Sequence, residues 1–185
     1  MIFFDLFGSL FSLISTYFYI RLDSKAWLVS IMAILINTYL YWQSGIYADT
    51  CLELFYLLST IYGWYQWTNK PKPNKNNLVS HLSYWQAGCL IILGTMSYIM
   101  LYKTLVYFSH STVAKLDAFT TTLSLCAQLL MCHKIIDTWI LWLITDGIFA
   151  VMYYQKNLFF HSMLMIIYMG MACLGYFTWK GMRSN

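Results

Sequence analysis

A chain of 185 residues that is 60% hydrophobic and only 10% charged carries more apolar side chain than one water-soluble core of that size can hide. The surplus must face lipid, which excludes a soluble globular domain. The formal net charge of +4 is dispersed over separate loops, so it reads as a signal for membrane orientation and excludes a nucleic-acid-binding patch.

Seven stretches are long enough to cross a hydrocarbon core of roughly 30 Å at about 1.5 Å per residue. They lie near residues 2–20, 25–42, 46–67, 85–107, 113–132, 138–154 and 158–179. Helical period groups the polar and aromatic residues of each onto one face. The first span carries Asp5, Ser9, Ser12 and Thr16. It lacks a basic start, so it belongs to the fold and is not a cleaved signal. The second presents Trp27, Ser30, Ile34, Asn37 and Tyr41, and the third Asp49, Glu53, Tyr56, Thr60, Gly63 and Trp67. A polar loop follows from Thr68 to Asn77, holding both prolines, Pro71 and Pro73, with Lys70, Lys72 and Lys75. After the fourth span, the fifth shows a stripe of Asp117, Thr121, Ser124 and Gln128. The sixth aligns Trp139, Trp142, Asp146, Phe149 and Tyr153, and the seventh His161, Met165, Tyr168, Ala172, Gly175 and Trp179. With the amino terminus outside, Arg21, Lys25, Lys70, Lys72, Lys75, Lys134, Lys180 and Arg183 collect in the cytoplasm, as the positive-inside rule requires.

Residues 5–67 align with 117–179 at a constant shift of 112, without a gap. Asp5 meets Asp117, Ser12 meets Ser124, Trp27 meets Trp139, Tyr41 meets Tyr153, Tyr56 meets Tyr168, Gly63 meets Gly175 and Trp67 meets Trp179. The expected fold is therefore an all-α integral membrane protein of two parallel three-helix repeats joined by a linking helix, a 3+1+3 plan. Its parts are a first repeat at 1–68, a cytoplasmic linker at 69–84, the linking helix at 85–108, a second repeat at 113–180 and a short tail at 181–185. Parallel repeats place a pathway on the axis between them.

Ser9, Ser12, Ser124, Gly63 and Gly175 read first as packing residues, since small side chains let membrane helices approach closely. Carboxylates within a span cost more and mark substrate or ion paths, which singles out Glu53 and Asp146. Aromatic faces beside them suit a flat cation, drawn to ring quadrupoles and balanced by the carboxylates. The candidate substrate residues are Asn37, Tyr41, Glu53, Trp64, Trp67, Thr121, Ser124, Gln128, Trp142, Asp146 and Tyr153. No HExxH or GxSxG motif is present, the histidines lie apart and the cysteines lack CxxC spacing. An enzyme, a metal site and a cofactor are not expected.

The runs Asn37-Thr-Tyr-Leu-Tyr41, Gly45-Ile-Tyr-Ala-Asp49, Ile61-Tyr-Gly-Trp-Tyr-Gln-Trp67, Leu116-Asp-Ala-Phe-Thr-Thr-Thr-Leu-Ser124, Ala127-Gln-Leu-Leu-Met131 and Trp139-Ile-Leu-Trp-Leu-Ile-Thr-Asp146 together resemble the PnuC-type bacterial vitamin transporters, related to the SWEET sugar transporters. The resemblance implies facilitated uptake across the bacterial inner membrane, with intracellular phosphorylation trapping the substrate, and a homotrimer. It implies nicotinamide riboside as the default substrate and thiamine as the alternative. Members carrying the riboside tend to have an amide where this chain has Glu53 and Asp146, and carboxylates would suit thiamine's aminopyrimidine and thiazolium. A seven-helix receptor or scaffold that binds without transporting is the alternative of another class.

Overall fold

The computed structural model describes residues 2–43, 47–69, 78–108, 114–155 and 157–183. Seven helices occupy them: α1 (Ile2–Ile20), α2 (Lys25–Gln43), α3 (Tyr47–Asn69), α4 (Tyr84–Phe108), α5 (Ala114–Cys132), α6 (Thr138–Gln155) and α7 (Phe159–Arg183). The ends agree closely with the apolar stretches. The exception is α7, which continues past Trp179 to Arg183, where Lys180 and Arg183 favour the negative end of the helix dipole. By length and composition alone, α2, α4 and α7 are apolar enough to cross a membrane, and Phe7–Ile20 is an apolar stretch within α1. In α3, α5 and α6 the polar faces dilute the apolar content, and those faces turn toward neighbouring helices.

Packing runs α1 to α2, α2 to α3, α3 to α5, α5 to α6, α6 to α7, and α7 back to α1, so six helices close a ring. Helix α4 stands outside it and packs on α5 alone among the described residues. Its side chains are accordingly lipid-ready, with Ile91, Ile92, Met96 and Met100 exposed.

One end of the ring is closed by tryptophan. Trp27, Trp67, Trp179 and Trp139 stand in a row, with successive ring centroids 5.3, 6.3 and 5.3 Å apart. The first and last pairs meet edge to face, the arrangement that ring quadrupoles prefer. Tyr19 packs on Trp27 at 4.8 Å and on Trp67 at 5.9 Å. Helices approach closely here because Trp27 lies against Gly63 and Trp139 against Gly175, where a Cβ would enter the indole ring. The central indoles tie different helices together: Trp67 donates to the Met131 carbonyl at 3.2 Å, and Trp179 donates to the carbonyls of Tyr19 and Ile20 at 3.2 and 3.1 Å. Lys134 lies over Trp67, 5.0 Å from the ring centroid, so this is also the basic end of the molecule.

The turns leading into α2 and α6 are built alike. Leu22 and Lys134 both adopt φ of 54°, the left-handed conformation that ends many helices. At each turn the main chain folds back with Asp23 N–H donating to Phe18 O and Ile135 N–H to Leu130 O, both at 3.0 Å.

Residues 78–83, the described part of the segment before α4, pack on the second half of the ring. Ser80 pairs with the α5–α6 turn through Ser80 N–H to Lys134 O at 3.1 Å and Ile136 N–H to Ser80 O at 2.9 Å. Leu82 N–H donates to Asp137 Oδ2 at 2.8 Å, His81 lies 3.4 Å from the same carboxylate, and Val79 is buried in the aromatic core. A polar-looking segment thus straps α4 to the second half of the ring.

Candidate functional site

Helix α3 carries Glu53, Tyr56 and Thr60 along one face, at the three- and four-residue steps of a helix. Each reaches a different partner. Asn37 of α2 donates its amide N–H to Glu53 Oε1 at 3.4 Å, Tyr56 hydrogen-bonds to Ser124 of α5, and Gln128 of α5 donates to Thr60 Oγ1 at 3.5 Å. Ser124 in turn donates to the Thr120 carbonyl at 3.0 Å, which satisfies a hydroxyl that membrane surroundings would otherwise leave costly. Four of the sequence candidates, Asn37, Glu53, Ser124 and Gln128, are thereby gathered with Tyr56 and Thr60 between α3 and its neighbours α2 and α5.

A second polar group lies across the ring. Tyr168 of α7 hydrogen-bonds to Ser12 of α1, in the neighbourhood of the buried Asp146 of α6. Asp146 sits halfway along α6, where a buried carboxylate is costly to retain within a membrane span. Tyr153 lies one helix turn beyond Phe149, their rings stacked at 5.8 Å, with His161 5.6 Å from Tyr153. Tyr41 and Thr121 are half-buried on α2 and α5.

The tryptophans divide. Trp142 is partly buried against the aromatic core, and Trp67 is locked within it by its bond to Met131. Trp64 is 40% exposed on the outer side of α3, beside Ile61 and Tyr65. The side chains of Asp5 and Asp49 lie outside the described residues. Sequence reasoning left Tyr56, Tyr168 and Thr60 out of the site; the identical Tyr56/Tyr168 match at the shift of 112 was the signal that pointed to two of them. The grooves on the surface, one lined by Leu143, Ile144 and Val151 and another by Leu90, Ile140 and Leu141, are apolar and outside the ring.

Carboxylates, amides and phenols thus face neighbouring helices at two places in the ring, and residues 2–181 match the nicotinamide mononucleotide transporter family. The chain belongs to that family. It is 25% identical over 165 residues to proteins named nicotinamide riboside transporter PnuC from Escherichia coli strain K12 and from Shigella flexneri, covering 76% of this chain and 69% of each relative. Its fold matches a crystal structure titled as the vitamin B3 transporter PnuC, with a TM-score of 0.77 over 98% of this chain and 82% of the other, at 16% identity. The protein is a multi-pass membrane transporter.

Proposed function

We propose that this chain takes up nicotinamide riboside by facilitated diffusion, with alternating access between the two halves of the helix ring. The observation that carries the reading is the row of three hydrogen-bonded pairs along α3, Asn37 with Glu53 inside the first half and Tyr56 with Ser124 and Thr60 with Gln128 across to the second. The names of the relatives supply the substrate. Asn37, Gln128, Glu53 and Asp146 bind its polar edges and charge, and Trp142 or another aromatic stacks on the ring. Phosphorylation inside the cell traps the product.

The 3+1+3 plan of parallel repeats, 1–68 and 113–180, is supported by reciprocity of bonding. Trp67 to Met131 and Trp179 to Tyr19 join positions that exchange under the shift of 112, and so do Tyr56 to Ser124 and Tyr168 to Ser12. Such an arrangement suits rocking of one half against the other. The basic end, with Arg21, Lys25, Lys134, Lys180 and Arg183, is assigned to the cytoplasm, with the amino terminus outside, and the oligomer is assigned as a homotrimer.

Thiamine is the second reading, favoured by Glu53 and Asp146 standing as carboxylates where an amide would pair better with a carboxamide. Purified protein in kinase-free vesicles tests the proposal. Labelled riboside should equilibrate to the external concentration without accumulating, and a protonophore should leave the initial rate unchanged. Equilibration of thiamine alone would select the second reading. Binding of either compound without equilibration would make the protein a receptor.

A further inference from the structure

Gly8 has no place in the chemistry above, yet it is buried on α1 directly beside the Asn37 carboxamide. A Cβ at position 8 would fall 2.5 Å from Asn37 Oδ1, closer than packed atoms tolerate. Only glycine therefore admits the amide in this orientation. With its carbonyl oxygen lodged against α1, the amide turns its N–H toward α3 and donates to Glu53 Oε1 at 3.4 Å. Three helices are linked through one side chain.

The second half of the chain has none of these parts. At the shift of 112, Gly8 corresponds to Thr120, Asn37 to Phe149 and Glu53 to Met165. The notch, the amide and the carboxylate occur together in one half and are replaced together in the other. Loss of only one would be unremarkable; the joint replacement ties the glycine to the polar pair. We infer that Gly8 is a positioning residue for substrate selectivity: its missing side chain sets the rotamer of Asn37, which holds Glu53 toward the N–H and O–H donors of the substrate. The inference rests on the proposed substrate site and assigns a role to a residue that touches no substrate.

The test is a double-variant cycle on the purified full chain, reading dissociation constants for nicotinamide riboside and thiamine and the thermal midpoint. N37A should weaken binding roughly tenfold and change the ratio between the two ligands, as loss of a hydrogen bond to a charged group does. G8A should do the same in the same direction. The double variant G8A/N37A should bind no more weakly than N37A, because the added methyl has nothing left to displace. A G8A effect that adds in full to that of N37A, or that lowers both ligands alike while N37A changes their ratio, overturns the inference. Should G8A fail to fold, folding of the double variant supports the clash with Asn37, and a double variant equally unfolded overturns it. If N37A leaves both ligands unchanged, the substrate site itself is misplaced and the role of Gly8 falls with it.

Discussion

The Trp67 indole donates to the main-chain carbonyl of Met131 across the boundary between α3 and α5, and the distance is 3.2 Å. Trp179 makes the counterpart bond to Tyr19 across the α7–α1 boundary at the same 3.2 Å. Opening this end of the ring requires both seams to part. Trp67→Phe and Trp179→Phe keep most of the ring and remove the donor, so each should cost about 1 kcal/mol of the closed state. Thermal unfolding in detergent, together with thiol labelling of substituted cysteines at the basic end, should report similar effects for the two. A large effect confined to one variant would contradict a shared closing role.

Gly63 and Gly175 each give an indole ring the space of a missing Cβ. Gly63→Ala and Gly175→Ala should destabilise by about 1–3 kcal/mol through overpacking. Pairing Gly63→Ala with Trp27→Leu should recover part of the loss relative to the sum of the single changes. Strict additivity in thermal unfolding would place the strain elsewhere.

Glu53 and Asp146 differ from their matched positions, Met165 and Ile34, in charge as well as size. Glu53→Gln and Asp146→Asn replace acceptors with groups that also donate, which suits a carboxamide. Riboside uptake should rise relative to thiamine uptake by roughly tenfold, the worth of one hydrogen bond to a charged group. Competition uptake in vesicles measures the ratio, and an unchanged ratio for both variants would remove these residues from the substrate site.

Asp137 receives the Leu82 N–H at 2.8 Å and lies 3.4 Å from His81. Asp137→Ala leaves that N–H without its acceptor and should cost about 1–2 kcal/mol. Limited proteolysis should then cut near residues 78–83 faster than in the parent protein. Equal cutting rates would mean that Val79 and the Ser80 bonds hold the segment unaided.

Helix ends were legible in the sequence because apolar runs stop abruptly at Arg21, Asn69 and the 133–137 turn. The polar stripes of α3 and α5 were legible too, since a 3.6-residue period fixes which residues share a face. Period does not say which helix a face meets, so the ring order, with α2 between α1 and α3 and with α4 outside, emerged only in three dimensions. Trp64 and Trp67 illustrate the same limit. Three residues apart on one helix, they read alike, yet one is 40% exposed and the other 7%. Gly8 was invisible because its meaning lies in the position of Asn37, twenty-nine residues away. The Ser83-x-x-Gln86 capping box marks where α4 begins, but the docking of 78–82 was hidden because Ser80 bonds through its main chain and leaves no side-chain pattern.

Helix α4 and the strap both dock on the second half of the ring, α4 on α5 and Ser80 on the α5–α6 turn. Among the described residues, α4 to α7 and the strap therefore pack together in sequence, and they meet α1, α2 and α3 through the α3–α5 and α7–α1 seams. A gene broken between codons 69 and 78 should still yield a working carrier from two co-produced polypeptides, recoverable together through a tag on either one.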